Sequence, residues 1–147
     1  MNLSQHFTKE EWEFSETAVR LGISNTIPPE LMENAKRIAN AMELVRGALD
    51  NRPVTVSSGY RGPALNAATP GSSKNSAHTR CLACDFVCRS YGSVYQTVET
   101  LSAILDDYDQ LIYEGTWIHL GLSEGYPRRE ILTATFERGR GRPTYHK

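Results

Sequence analysis

Long apolar runs are missing from this chain of 147 residues. No stretch approaches the roughly 18 consecutive apolar residues that a membrane-spanning helix needs. The opening, Met1 to Glu11, lacks the basic start and apolar run of a secretion signal. These absences predict a protein made and folded in a cytoplasm, without stable membrane insertion, that needs outside help for any export. A strong charge of one sign is missing too. The formal net charge is -1, so nothing global points to nucleic acid or an acidic polymer as partner. Cysteine is scarce and odd in number: Cys81, Cys84 and Cys88 argue against a disulfide framework. Their C-x2-C-x3-C spacing leaves a metal or iron–sulfur set one sulfur short. On a strand, Cys84 and Cys88 would share one face and Cys81 the other, so buried, reduced thiols are the better reading.

What is present suits one soluble domain with a single core. Thr8-Lys9-Glu10-Glu11 is a capping box and predicts a helix running to about Leu21, where Gly22 stops it. Ile27-Pro28-Pro29 opens a second helix. Its buried stripe is Leu31, Ala35, Ile38, Met42, Val45 and Leu49, and Asn51-Arg52-Pro53 breaks it. Val54 to Ser57 reads as a short strand, and Ser58 to Ser76 as a long ordered loop of the kind that usually carries function. Leu82 to Val87 is an apolar run interrupted by Asp85, and a helix spans Ser93 to Leu105. Leu111 to Tyr113 and Trp117 to Leu122 form a hairpin around Gly115-Thr116, a pair suited to a type II′ turn. Ile131 to Phe136 is a last strand. The tail from Arg138 to Lys147, with Arg138, Arg140, Arg142 and Lys147 among glycines, reads as a solvated, flexible terminus. The domain is thus expected over 1–137 and the tail over 138–147.

Asp85 is the most informative residue, because a lone ionised carboxylate in an apolar run is costly unless paired or metal-bound. A buried arginine such as Arg61 is one candidate partner and a metal the other. His78 ends the Gly/Ser loop, and His119 interrupts the apolar Trp117-Ile118-His119-Leu120. Each alone is as well explained as a structural histidine. Together, two histidines and one carboxylate make the three-ligand set of a catalytic zinc site, with the fourth position left for water. Such a site also needs a general base. If Gly115-Thr116 is a two-residue turn, Glu114 lies across from Trp117 and His119 across from Ile112. Glu114 is then diagonal to His119 at about 7–8 Å on the same face. Otherwise it is an exposed glutamate beside a turn.

Three ordered motifs resemble a family. Ser76-Ala77-His78-Thr79-Arg80-Cys81-Leu82-Ala83-Cys84-Asp85 resembles the S-x-H-x-x-G-x-A-x-D signature of the zinc D-Ala-D-Ala carboxypeptidases and phage L-alanyl-D-glutamate endopeptidases. Ser57-Ser58-Gly59-Tyr60-Arg61, followed by Leu65-Asn66, resembles their S-G-Y-R segment, and Glu114 through His119 their closing E-x(n)-W-x-H element. His6-Phe7-Thr8 and the Asn25 to Pro29 stretch are similar to phage and prophage members, so the likeness runs from about Leu3 to Leu122. It implies His78, Asp85 and His119 as zinc ligands, Glu114 as the base, Arg61 as the cation that anchors substrate or stabilises the oxyanion, and Ser76 as a supporting residue near metal and substrate. It implies the α+β fold shared with the hedgehog signalling domain, a small antiparallel sheet with N-terminal helices packed against it. Two departures stand out. Cys81 occupies the glycine position of the signature. In many relatives the base lies three residues before the last histidine, where this chain has Thr116; Glu114 lies five before, and Asp109 is the reserve candidate.

The sequence therefore predicts a monomeric zinc metallopeptidase that cleaves peptidoglycan stem peptides, of the phage endolysin type, acting in the periplasm or cell wall. The bond is that of an L-alanyl-D-glutamate endopeptidase or a D-Ala-D-Ala carboxypeptidase. Two alternatives come from other classes: a zinc-containing cell-wall-binding or virion module that has lost catalysis, and a cysteine-ligated regulatory or redox domain.

Overall fold

The computed structural model describes residues 1–135 and 143–147. Its N-terminal segment holds two short helices where the sequence predicted one. Thr8 caps α1, Lys9–Glu13, through the expected capping box. Phe14 then turns extended, and Ser15 caps a new helix, α2, Glu16–Leu21, which Gly22 ends in the left-handed conformation. Ser15 accepts a hydrogen bond from the Ala18 backbone N–H, which is the competition with helical continuation expected of serine. The break lets Trp12 turn fully inward while Phe14 stays exposed.

A 3-10 turn, Pro29–Leu31, leads into α3, Met32–Ala48, whose Ala35, Ile38, Ala39, Met42 and Val45 are buried. This stripe packs with α5, Val94–Ile104, over one face of the sheet, where Cys84, Phe86, Leu111, Ile118 and Leu120 complete the core. Each such fully buried aliphatic side chain contributes about 1.5–3 kcal/mol. All three cysteines are free and buried. Cys84 lies on the core face, and the thiols have the inert, packed character expected of them.

Among the described residues the strands are β1 Thr55–Ser58, β2 Ala83–Val87, β3 Gln110–Tyr113, β4 Ile118–Gly121, β5 Glu130–Thr135 and β6 Thr144–His146, in the order β1-β2-β4-β3-β5-β6. The fold is α+β. Every pairing is antiparallel except β3 with β5, so the sheet is mixed rather than purely antiparallel. The exception follows from the connection: β5 enters by a crossing loop after β4, not by a hairpin from β3. Within the expected Ser58–Ser76 loop the chain forms a further helix, α4, Pro63–Ala68, entered through Pro63 in its first turn. Phe136 and half of the predicted tail, residues 138–142, lie outside the described residues; of the rest, Thr144–His146 form the edge strand β6.

Candidate metal centre

Strand register gathers the site. Asp85 on β2 stands opposite His119 on β4, and His119 stands opposite Ile112 on β3, so both polar side chains project from the sheet face away from the core. His78 comes from a 3-10 turn, Ala77–Arg80, capped by the Ser76 hydroxyl, which accepts from the His78 N–H. Possible ligand atoms of His78, Asp85 and His119 all lie within 4.8 Å of one another. The two imidazoles meet edge-on, with centroids 5.2 Å apart. Asp85 thus faces two histidines, and Arg61, its other candidate partner, hydrogen-bonds through Nη2 to Ser76 Oγ at 3.2 Å instead.

His78 is held in one orientation and one tautomer. Its Nδ1 lies 2.6 Å from the Gly59 carbonyl oxygen, which can only accept, so Nδ1 carries the proton. Burial pushes the ring's pKa down against the pull of Asp85 and so favours the neutral form. In that form Nε2 presents a lone pair to Asp85 Oδ1 at 3.3 Å. Two acceptors facing each other at this distance in a buried site call for a cation shared between them. His119 Nδ1 adds a contact of 2.9 Å to the same Oδ1. Burial alone would raise the Asp85 carboxyl, but the two imidazoles beside it outweigh that and hold the group ionised, well below the usual carboxylate range. A neutral imidazole, a fixed carboxylate and a second imidazole are the donor set of a divalent transition-metal site, with fewer protein ligands than a closed structural site uses.

Two glycines make room for these rings. A Cβ on Gly59 would lie 2.9 Å from the Trp12 Cα and closer still to its indole, so only glycine lets α1 approach the carbonyl that fixes His78. A Cβ on Gly121 would sit 3.2 Å from His119 Nε2. Neither role carries a separate signal in the sequence beyond the presence of glycine.

Glu114 ends β3 with the expected geometry. Its N–H donates to the Trp117 carbonyl at 3.0 Å across Gly115-Thr116, and Gly115 has φ 86° as the first residue of a type II′ turn requires. The side chain is not an exposed glutamate beside a turn: it is 7 % exposed. Burial raises its pKa to about 7, with Asp85 adding to the rise and His119 opposing it. Thr116 is exposed on the turn. Asp109 lies at the other end of the hairpin, its carboxylate taken by Arg128 at 2.8 and 3.1 Å, so it does not join the cluster. Arg61 is largely buried, and desolvation lowers its pKa against the favourable charge of Asp85. Its Nε is buried without a hydrogen-bond partner. Cys81, directly after the His78 turn, adopts φ 57° and ψ 38°, the left-handed conformation that explains a glycine in the resembled signature.

Two histidines and a carboxylate on one face of an α+β sheet, with a protonatable glutamate beside them, are a donor set of the kind that metal-dependent hydrolases use. Residues 5–121 match the model of the Peptidase M15 family, and the chain belongs to that family. A comparison with curated proteins found no match. Membership makes the chain a peptidase, in a family whose peptidases are zinc-dependent.

Proposed function

We propose that the protein is a zinc-dependent peptidase that hydrolyses peptidoglycan stem peptides, as a phage-type L-alanyl-D-glutamate endopeptidase or a D-Ala-D-Ala carboxypeptidase. The observation that carries the metal is the buried pair of acceptors, His78 Nε2 and Asp85 Oδ1, 3.3 Å apart with the imidazole's other nitrogen committed to Gly59. His78, Asp85 and His119 would hold the ion. Bound there, zinc supplies Lewis acidity that acidifies a water and polarises the scissile carbonyl.

The chain's own residues do the rest. Glu114 takes the proton of the attacking water and passes it to the departing amine. Its elevated pKa puts it in the range where one carboxyl both accepts and returns a proton at neutral pH. Arg61 is a partly buried cation whose Nε has no hydrogen-bond partner among the described residues, and it is suited to a substrate carboxylate or to the oxyanion formed as the carbonyl is attacked. Ser76 holds both sides of this arrangement, accepting from Arg61 and from the His78 backbone. The substrate class would place its action on murein, in the periplasm or cell wall.

The test is to incubate the purified protein with peptidoglycan, with and without a chelator, and identify released fragments by mass spectrometry. Cleavage that the chelator abolishes is expected, and the fragment masses name the bond. Folded, zinc-loaded protein that releases nothing would overturn the peptidase and leave the wall-binding module as the reading.

A further inference from the structure

The sheet face that bears the metal cluster continues past the hairpin onto β5 and β6. In the parallel ladder Ile112 pairs with Leu132 and Tyr113 with Thr133, so the next step sets Glu114 beside Ala134. Ala134 pairs with Tyr145 on β6. Directly paired residues share a face, so Glu114, Ala134 and Tyr145 form one row. It lies next to the row made by Asp85, His119, Ile112 and Leu132. Two strand spacings separate Tyr145 from Glu114, about 10 Å between backbones. Arg61 donates to Ser76 Oγ and, through its backbone, to the His78 carbonyl, which sets it beside the cluster, and its charge interacts with Asp85 and Tyr145. Among the described residues no carboxylate forms an ion pair with Arg61, whose side chain donates to the neutral Ser76 hydroxyl. A largely buried cation without such a partner among the described residues suits the carboxylate of a bound peptide. Tyr145 is 47 % exposed on the edge strand of that row.

We propose that Tyr145 is a substrate-positioning residue whose phenol closes the cleft opposite Arg61, so that the two together hold a carboxylate of the bound peptide. The inference rests on the peptidase reading above and extends it to the edge strand β6. The hydroxyl donates to the carboxylate that the guanidinium also holds, and the peptide is aligned along the row that ends in Glu114.

The test compares wild type with Tyr145→Phe on a stem peptide with free carboxylates and on the same peptide amidated. Steady-state kinetics and calorimetric binding are both measured. Loss of one hydrogen bond to a charged group should raise KM and Kd for the free acid roughly tenfold, with kcat unmoved. The amidated peptide should not distinguish the two proteins, a pattern that a merely structural tyrosine would not produce. Equal KM and Kd for the free acid, or a fall in kcat alone, overturns the role of Tyr145. If wild type binds without cleaving, the peptidase reading fails while a tenfold binding difference still upholds Tyr145. If wild type neither binds nor cleaves, both fall.

Discussion

Glu114 and Asp85 are carboxyls on one sheet face, and their surroundings drive them apart. Asp85 is ionised by two imidazoles, whereas Glu114 is held near pH 7 by burial. Because the folded Glu114 keeps a proton that the unfolded chain gives up from about pH 4.5, metal-free stability falls as pH rises through about 4.5 to 7. Asp85 acts with the opposite sign at lower pH, its contribution being present above the ordinary carboxylate range and lost as pH falls. Glu114→Gln removes only the first effect. The metal-free variant should melt above wild type at pH 8 and alongside it at pH 4, and equal midpoints at both would show the carboxyl to be unstrained. Loaded with zinc, it should keep the metal and lose about 10²–10⁴ in rate, the usual worth of a general base. Cys81 poses the complementary question at the backbone. Its left-handed φ of 57° costs about 1–2 kcal/mol, yet its thiol is fully buried in the core cluster. Relief of strain and loss of packing should nearly cancel in Cys81→Gly, leaving urea stability within about 1 kcal/mol. A β-branched Cys81→Val should fall a further 1–3 kcal/mol or so below that variant.

Between residue and fold, short elements hold the site, and their legibility differs by cause. The capping box at Thr8 was readable because the cap and its reciprocal partner lie three residues apart in sequence. The hairpin at Gly115-Thr116 was readable because a two-residue turn fixes its register, which put Glu114 and His119 on one face before any coordinates. The break at Phe14 was not, because helical periodicity carries through it and only the inward turn of Trp12 decides the matter. Nor was α4, whose Pro63-Ala64-Leu65-Asn66-Ala67-Ala68 is too short for a periodic signal. The link from α1 to the metal centre is wholly tertiary: Trp12 packs on Gly59, and the Gly59 carbonyl orients His78. Gly59→Ala forces backbone against backbone at 2.9 Å, so the strand end must shift and carry that carbonyl with it. The variant should bind zinc at least about tenfold more weakly, as loss of a partner supporting a metal ligand does. Equilibrium dialysis at wild-type affinity would contradict the linkage.

At the scale of the molecule, the centre ties together parts of the chain that nothing local joins. Asp85 and His119 were legible as candidates because a carboxylate and an imidazole interrupt apolar strands. The mixed sheet and β6 were not, because a parallel pair and an edge strand depend on where the chain returns, which no spacing encodes. His78 belongs to the loop side and Asp85 and His119 to the sheet, so an ion shared among them should fasten the 59–80 segment to β2 and β4. Binding to the folded state alone stabilises it by about 4 kcal/mol at a thousandfold excess over Kd. Stoichiometric zinc should therefore raise the melting midpoint of wild type. It should also slow hydrogen exchange in 59–80 and around the Gly115-Thr116 turn, while leaving α3 and α5, which pack on the opposite face, unaltered. His119→Ala should abolish both responses, since three protein ligands cannot spare one. A wild-type midpoint indifferent to zinc would separate these three residues from any metal. A response that survives His119→Ala would place the ion elsewhere on the chain.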